Sequence, residues 1–319
     1  MNYGVCLSPF LTDSYADLVR LAREAEAYGF GGIFIPEAAN DGLMCCDAIA
    51  RATSRVRLAS WIANIYLRQP MLCASAAAMV QEAADGRFVL GLGVSHRPML
   101  EALGMEMRDA RAYLSHYITA IRAVLSGQPI GPLRVRVPLT PVPIHVAALA
   151  LETIRLGAEL ADGLMLDNCT PERLGRAIKV AGATRARFGR QSAPFEITTG
   201  VLVFLHQRSD RAYDAARRSI ARYAMLPAYN RLFANSGFIA EAKTITEAAT
   251  RNDAAAAAAA VNDRMVDALS ITGSPARCRE RLDQYARLGA DNLVLRPSPV
   301  DEDYATCVRQ ALRALSSAL

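Results

Sequence analysis

Long apolar runs are missing from this chain. No stretch reaches membrane-spanning length, and the start carries no basic region followed by an apolar stretch and a cleavage site. Neither a membrane span nor a secretory leader is therefore expected, and a soluble cytoplasmic protein is. Cys-x-x-Cys is absent. The seven cysteines (Cys6, Cys45, Cys46, Cys73, Cys169, Cys278 and Cys307) are odd in number and, apart from the adjacent Cys45-Cys46, dispersed. That pattern belongs to reduced thiols rather than a disulfide frame or a zinc site, and no metal centre is expected. No Gly-x-Gly-x-x-Gly opens a nucleotide fold, and there is no P-loop. The formal net charge is only +5 and is not gathered into a basic tract. Nucleic acid is thus not an expected partner, whereas a small anionic cofactor is compatible.

What is present alternates. With 319 residues, 52% hydrophobic and 21% charged, the chain has ample material for a buried core. Short apolar runs at 3–7, 32–35, 56–61, 88–92, 164–166, 195–205 and 292–295 read as strands, separated by segments of helical periodicity. Ser14 caps a helix bearing Leu18, Leu21, Ala22 and Ala25, and Pro70 opens a second, alanine-rich one reaching Ala84. Residues 110–125 form a third, with Tyr113, Tyr117, Ile121 and Val124 on one face. Strand, helix, strand implies parallel pairing. The pattern as a whole predicts one α/β domain over residues 1–319, a (β/α)8 TIM barrel, with an inserted helical segment at about 210–263. Tyr223, Tyr229, Phe233 and Phe238 in that insertion either line a substrate pocket or pack helix to helix. The Pro- and Gly-rich excursion 127–143, with 133–137 extended, reads as a connection, and 302–319 as a closing amphipathic helix.

Ligands in such folds bind at the C-terminal ends of the strands. Three segments place polar groups there. Gly91-Leu92-Gly93-Val94-Ser95-His96-Arg97-Pro98 gathers amides, a hydroxyl, an imidazole and a guanidinium, although glycines after a strand also serve close packing alone. Glu37, after the second strand, is placed at the barrel rim, either as a partly desolvated acid kept protonated or as a solvated loop residue. Thr170-Pro171-Glu172, after the strand 164–166, opens a helix whose free amides suit an anion such as a phosphate, or are simply capped. His145, inside the apolar run 143–149, reads as a core histidine rather than a catalyst.

These blocks together resemble the luciferase-like monooxygenase superfamily, in particular its branch using the deazaflavin coenzyme F420. The resemblance is carried by Asn64, Arg68, Pro70, the alanine-rich helix 74–84, Gly86-Arg87-Phe88 and Gly91-Leu92-Gly93. It continues through Pro143-Ile144-His145-Val146-Ala147-Ala148-Leu149, Ala158-Glu159-Leu160-Ala161-Asp162-Gly163 and Gly273-Ser274-Pro275. It implies a non-prolyl cis bond at Trp61-Ile62, with Asn64, Ser95, His96, Ala147, Ala148 and Leu149 holding the cofactor and Asn168 and Thr170 on its side. Trp61 stands where the family usually has Gly or Ser, His145 where it has an aromatic, and Ala150 where it has Gly. The implied activity is an F420H2-dependent reductase passing hydride to an electron-poor C=C, C=N or C=O of a small molecule or peptide. Glu37 is the expected proton donor and His96 the second candidate. The alternatives are an FMN-dependent monooxygenase of the same fold and a non-catalytic binding barrel. Pairing into a homodimer is expected.

Overall fold

The computed structural model describes residues 1–318. Ten strands follow one another along the chain: β1 (Asn2–Cys6), β2 (Gly32–Ile35), β3 (Arg57–Ser60), β4 (Ala63–Asn64), β5 (Phe88–Gly93), β6 (Ile144–Ala147), β7 (Gly163–Asp167), β8 (Glu196–Leu205), β9 (Ser270–Gly273) and β10 (Asn292–Pro297). All their pairings are parallel. Because β1 pairs with both β2 and β10, and β10 also with β8, the strands β1-β2-β3-β5-β6-β7-β8-β10 close into a (β/α)8 barrel.

Parallel strands buried on both faces need apolar residues at nearly every position, and β7, Gly-Leu-Met-Leu-Asp, is buried until its last residue. The alternation decides which side chain sees which layer. In β6, Ile144 and Val146 face the helices while Ala147 joins the barrel interior with Cys6, Phe34, Ala59, Val89, Met165 and Val294. The interior is apolar at mid-height and polar at both ends. At the N-terminal end Arg57 pairs with Glu196 at 2.8 Å, and Asn292 donates to Glu196 at 3.2 Å. At the C-terminal end stand Trp61, Asp167 and Arg296, brought together around Gly200.

The register contains one irregularity. Ala59 lies opposite Val89 and Ala63 opposite Leu92, so four steps on one strand match three on the other. The extra residue bulges the third barrel strand at the Trp61–Ile62 bond, which is cis, at the position the resemblance implied.

The insertion consists of the helices Ser209–Ala224, Pro227–Ala234, Ile239–Thr250, Ala254–Ala259 and Asp263–Leu269. They share a core of their own, including Ile220, Phe233, Phe238, Ile245 and Met265, that continues onto Leu202 and Phe204 of β8. Each large side chain so buried contributes roughly 1.5–3 kcal/mol, enough to make the aromatic residues of this unit packing residues first. Phe233 and Phe238 are fully buried within it. Its last helix leads into β9, an additional strand on β8.

Two expectations are corrected. Residues 133–137 form no strand, since only an isolated bridge joins Ile130 and Leu133 and no sheet edge lies alongside to pair them. The closing helix is Tyr304–Leu315, followed by one 3-10 turn, Ser316–Ala318; residue 319 lies outside the described residues. No helix of the described chain is long and apolar enough to cross a membrane.

Candidate active site

The bulged strand is held from behind by a carboxylate. Glu37 Oε1 accepts from the Asn64 backbone N–H at 3.1 Å and Oε2 from that of Gly42 at 3.1 Å. Arg68 Nη2 donates to Glu37 Oε2 at 2.8 Å and to Asp41 Oδ1 at 2.6 Å. The Glu37 side chain is 3% exposed. Local sequence sets this up: Asp41 caps the helix Gly42–Ala50 by accepting from Leu43 and Met44, and Gln69 with Pro70 starts the helix Pro70–Ala83 immediately after Arg68. Burial works against the Arg68 charge, but Glu37 and Asp41 outweigh it and hold its pKa above the ordinary arginine value. Burial likewise opposes the Asp41 charge, yet the Met44 amide and Arg68 keep its pKa below the usual aspartate value.

In front of the bulge the strands approach closely. A Cβ on Gly91 would fall 2.1 Å from the Ser60 carbonyl oxygen and 2.5 Å from Met165 Sδ, and one on Gly93 would fall 2.7 Å from the Ile62 side chain and 3.2 Å from the Ala147 methyl. Ile62, Gly93 and Ala147 therefore form one contiguous surface. Asn64 is buried beside it. Its Oδ1 accepts from the Tyr66 amide at 3.0 Å, whereas its Nδ2 has no partner among the described residues. Ser95 follows at φ 58°, turning the chain so that His96 can cap the short helix Arg97–Ala102. The His96 ring lies 5.6 Å from that of Tyr229. Burial lowers its pKa from 6.5, with Asp167 opposing, which favours the neutral imidazole.

Across the mouth, Asp167 organises a network. Arg296 Nη1 contacts both Asp167 oxygens at 2.6 Å, and its Nη2 donates to the Tyr223 hydroxyl. Tyr229 donates to Asp167 Oδ2 at 3.3 Å and Asn168 Nδ2 donates to the same oxygen at 3.0 Å. Asn168, at φ 50°, keeps a buried Oδ1 without a partner among the described residues. Burial opposes the Arg296 charge, but Asp167 and the neighbouring hydroxyl and thiol groups hold its pKa well above the usual value. Burial and Asp167 push the Tyr229 phenol well above 10.0.

Beyond β6 and β7 a cavity of about 390 Å³ is lined by Leu149, Glu152, Arg173, Arg176 and Arg231, among others. Thr170 caps the helix Pro171–Arg187 by accepting from the Arg173 amide at 3.2 Å. Arg173 is 7% exposed, and its Nη2 donates to the Leu149 carbonyl at 2.6 Å while Nε has no partner among the described residues. Burial pulls its pKa below the ordinary arginine value. Arg173, Arg176 and Arg231 outnumber Glu152 in this lining, and a buried guanidinium with a free donor suits an anion.

The structure brings Trp61, Ile62, Asn64, Ala147, Ser95 and His96 to one side of the mouth and Asn168 to the other. Glu37 stands behind the bulge rather than in the opening, with donors on both oxygens. Ala148 faces away: its methyl is buried in the outer core and its amide donates to Met165 O at 3.0 Å. Thr170 is 1% exposed and acts as a cap, and Leu149 borders the basic cavity. Trp61 packs edge-on against Phe34, ring centroids 5.5 Å apart. His145 sits toward the opposite end of the barrel, 2% exposed. Asp167, Arg173 and Arg296 are site residues that sequence pattern alone does not single out. A charged residue inside the otherwise apolar β10 was the available signal for Arg296. Among the described residues no cluster of His, Cys, Asp or Glu could hold a metal ion.

A family model described as luciferase-like monooxygenase matches residues 1–292. A 5,10-methylenetetrahydromethanopterin reductase from Methanolobus tindarius is 24% identical over 92% of this chain and 93% of its own. Among solved structures, the coenzyme F420 dependent tetrahydromethanopterin reductase from Methanopyrus kandleri superposes with a TM-score of 0.80 at 19% identity, covering 98% of each chain. An F420-dependent secondary alcohol dehydrogenase in complex with an F420-acetone adduct superposes at 0.78 and 13% identity, over 100% of this chain and 99% of that one.

Proposed function

The chain belongs to the luciferase-like monooxygenase family, and we propose that it is an F420-dependent reductase that transfers hydride to an electron-poor double bond of a small molecule or peptide. The observation that carries this reading is the cavity beside Leu149, two residues beyond β6, whose charged lining is Arg173, Arg176 and Arg231 against the single acid Glu152. Three arginines suit an anionic tail with several charges better than a lone phosphate. The titles of two solved structures of the same fold, a reductase and a dehydrogenase, name this cofactor.

The residues present fit such a group. The surface of Ile62, Gly93 and Ala147 offers a flat apolar backing, and Asn64 Nδ2 and Asn168 Oδ1 are buried polar atoms that a heterocycle's carbonyl and N–H groups would satisfy. When bound, the deazaflavin supplies the hydride. The chain's task is to align, to exclude water and to move a proton. Glu37 braces the bulge through the Asn64 amide, so we assign it to positioning rather than to proton delivery. His96, beside Tyr229, is a hydrogen-bonding neighbour of the ring. Pairing of two copies is supported by Met44, Leu72 and Met79, exposed on the adjacent helices Gly42–Ala50 and Pro70–Ala83.

The test is cofactor selection. The purified protein is titrated with F420 and with FMN, and oxygen uptake is followed with each reduced form. Binding of F420 without oxygen consumption is the expected result. Preferential FMN binding with oxygen uptake favours the monooxygenase alternative, and failure of both to bind favours a non-catalytic barrel.

A further inference from the structure

The network at the mouth leaves one hydroxyl hydrogen without an acceptor. Arg296 directs Nη1 at both oxygens of Asp167 and Nη2 at the Tyr223 hydroxyl. Tyr229 gives its proton to Asp167, as does the Asn168 amide. Tyr223 is different. Its oxygen accepts from Arg296, and a phenol that accepts still has one O–H to donate. The described contacts give that hydrogen no acceptor within the protein.

Its position suits an external one. Tyr223 lies on the helix Ser209–Ala224, half-buried, with its ring 5.0 Å from Tyr229 and the Arg296 guanidinium 5.3 Å from its centroid. Arg296 and Asp167 keep 15% and 14% of their side-chain surface open. Trp61 stands on the same floor, its Cζ2 within 2.8 Å of the place a Cβ on Gly200 would occupy, as is Asp167 Oδ1. The inserted helices thus bring a hydroxyl to Arg296, at the same end of the barrel as Trp61 and the surface proposed for the cofactor ring.

We propose that Tyr223, backed by Arg296, binds the substrate heteroatom on which negative charge develops and gives it its proton, which narrows the substrate class to C=O or C=N compounds and to C=C bonds conjugated with them. This deepens the F420 reading and rests on it. The acceptor carbon gains hydride with its two electrons. The π pair of the C=O or C=N bond moves onto the heteroatom, which takes the Tyr223 proton. The resulting phenolate stands beside a guanidinium and is reprotonated from water; the cofactor, when bound, would supply the hydride and balance that proton with its N–H hydrogen. A guanidinium–phenol pair aimed at the atom where charge develops stabilises that charge where it forms. An isolated C=C, whose proton goes to carbon, would make no use of the arrangement. Asp167 holds Arg296 in place from the other side and is a positioning residue.

The test uses a carbonyl compound too unreactive to be reduced. Isobutyramide is added to the F420-loaded protein and its binding followed by saturation-transfer NMR. Wild type, Tyr223→Phe and, as a remote conservative control, Tyr213→Phe are compared, with F420 affinity measured for each. We expect the amide to bind the wild-type and Tyr213→Phe complexes alike and the Tyr223→Phe complex at least tenfold more weakly, with F420 affinity unchanged. Absence of amide binding to the loaded wild type, or equal binding by Tyr223→Phe, overturns the assignment alone. Failure of the wild type to bind F420 overturns the deazaflavin reading and this assignment together.

Discussion

Glu37 and Asn64, on successive barrel strand ends, are joined by a 3.1 Å hydrogen bond from the Asn64 backbone N–H to the Glu37 carboxylate. The bond ties the loop after β2 to the bulge of the third strand, and Arg68 closes the arrangement at 2.8 Å. A residue whose type and location suggest acid catalysis is thereby occupied with holding backbone.

The two roles separate experimentally. If Glu37 braces the bulge, Glu37→Gln weakens cofactor binding and lowers stability while leaving the alkaline limb of the pH–rate profile, where a proton-donating acid would be lost, where it was. If it delivers the proton, affinity holds and that limb disappears. Arg68→Met removes the cation from a nearly buried pair and is expected to cost about 3–5 kcal/mol, read as a lowered urea midpoint.

The basic cavity carries its own expectation. Arg173 is buried with a free Nε, and a charge-assisted hydrogen bond is worth about 1.5–3 kcal/mol. Arg173→Met should therefore weaken F420 ten- to a hundredfold by fluorescence titration. Arg231→Ala, at the outer wall, should act less and lose its effect at high salt.

His145 gives the fold a pH dependence. Burial pulls its pKa from 6.5 to about 4, opposed by Glu196. The unfolded chain binds the proton more readily than the native one, so the contribution of this residue is complete above about pH 6.5, shrinks as pH falls, and levels off below about 4. The loss is on the order of 3 kcal/mol. Urea midpoints at pH 7.5, 5.5 and 4.5 should decline more steeply for wild type than for His145→Asn; parallel declines would remove His145 as the cause.

Much of this molecule was legible in its sequence where a local rule decides. Pro70 after Gln69 marks a helix start, the face of Tyr117, Ile121 and Val124 sets the helix Ala110–Leu125 at its observed bounds, and strand runs such as 32–35 are apolar because both faces are covered. The site was legible only through motif likeness, because its decisive contacts are remote. Arg296 meets Asp167 across 129 residues and Tyr223 across 73, and no periodicity encodes such a pairing. Arg68 was noticed as part of a motif, but its partners Glu37 and Asp41 precede it by 31 and 27 residues. Ser270–Gly273 became a strand because β8 is long enough to offer it an edge, whereas 133–137, with a better strand composition, found none.

The measurement that bears most directly on the whole account is equilibrium titration of the purified protein with F420 and with FMN in the same buffer. Saturable F420 binding at least tenfold tighter than FMN, lost in Arg173→Met and accompanied by no oxygen uptake from the reduced complex, is the predicted result. Tighter FMN binding, or F420 binding indifferent to Arg173, would contradict it.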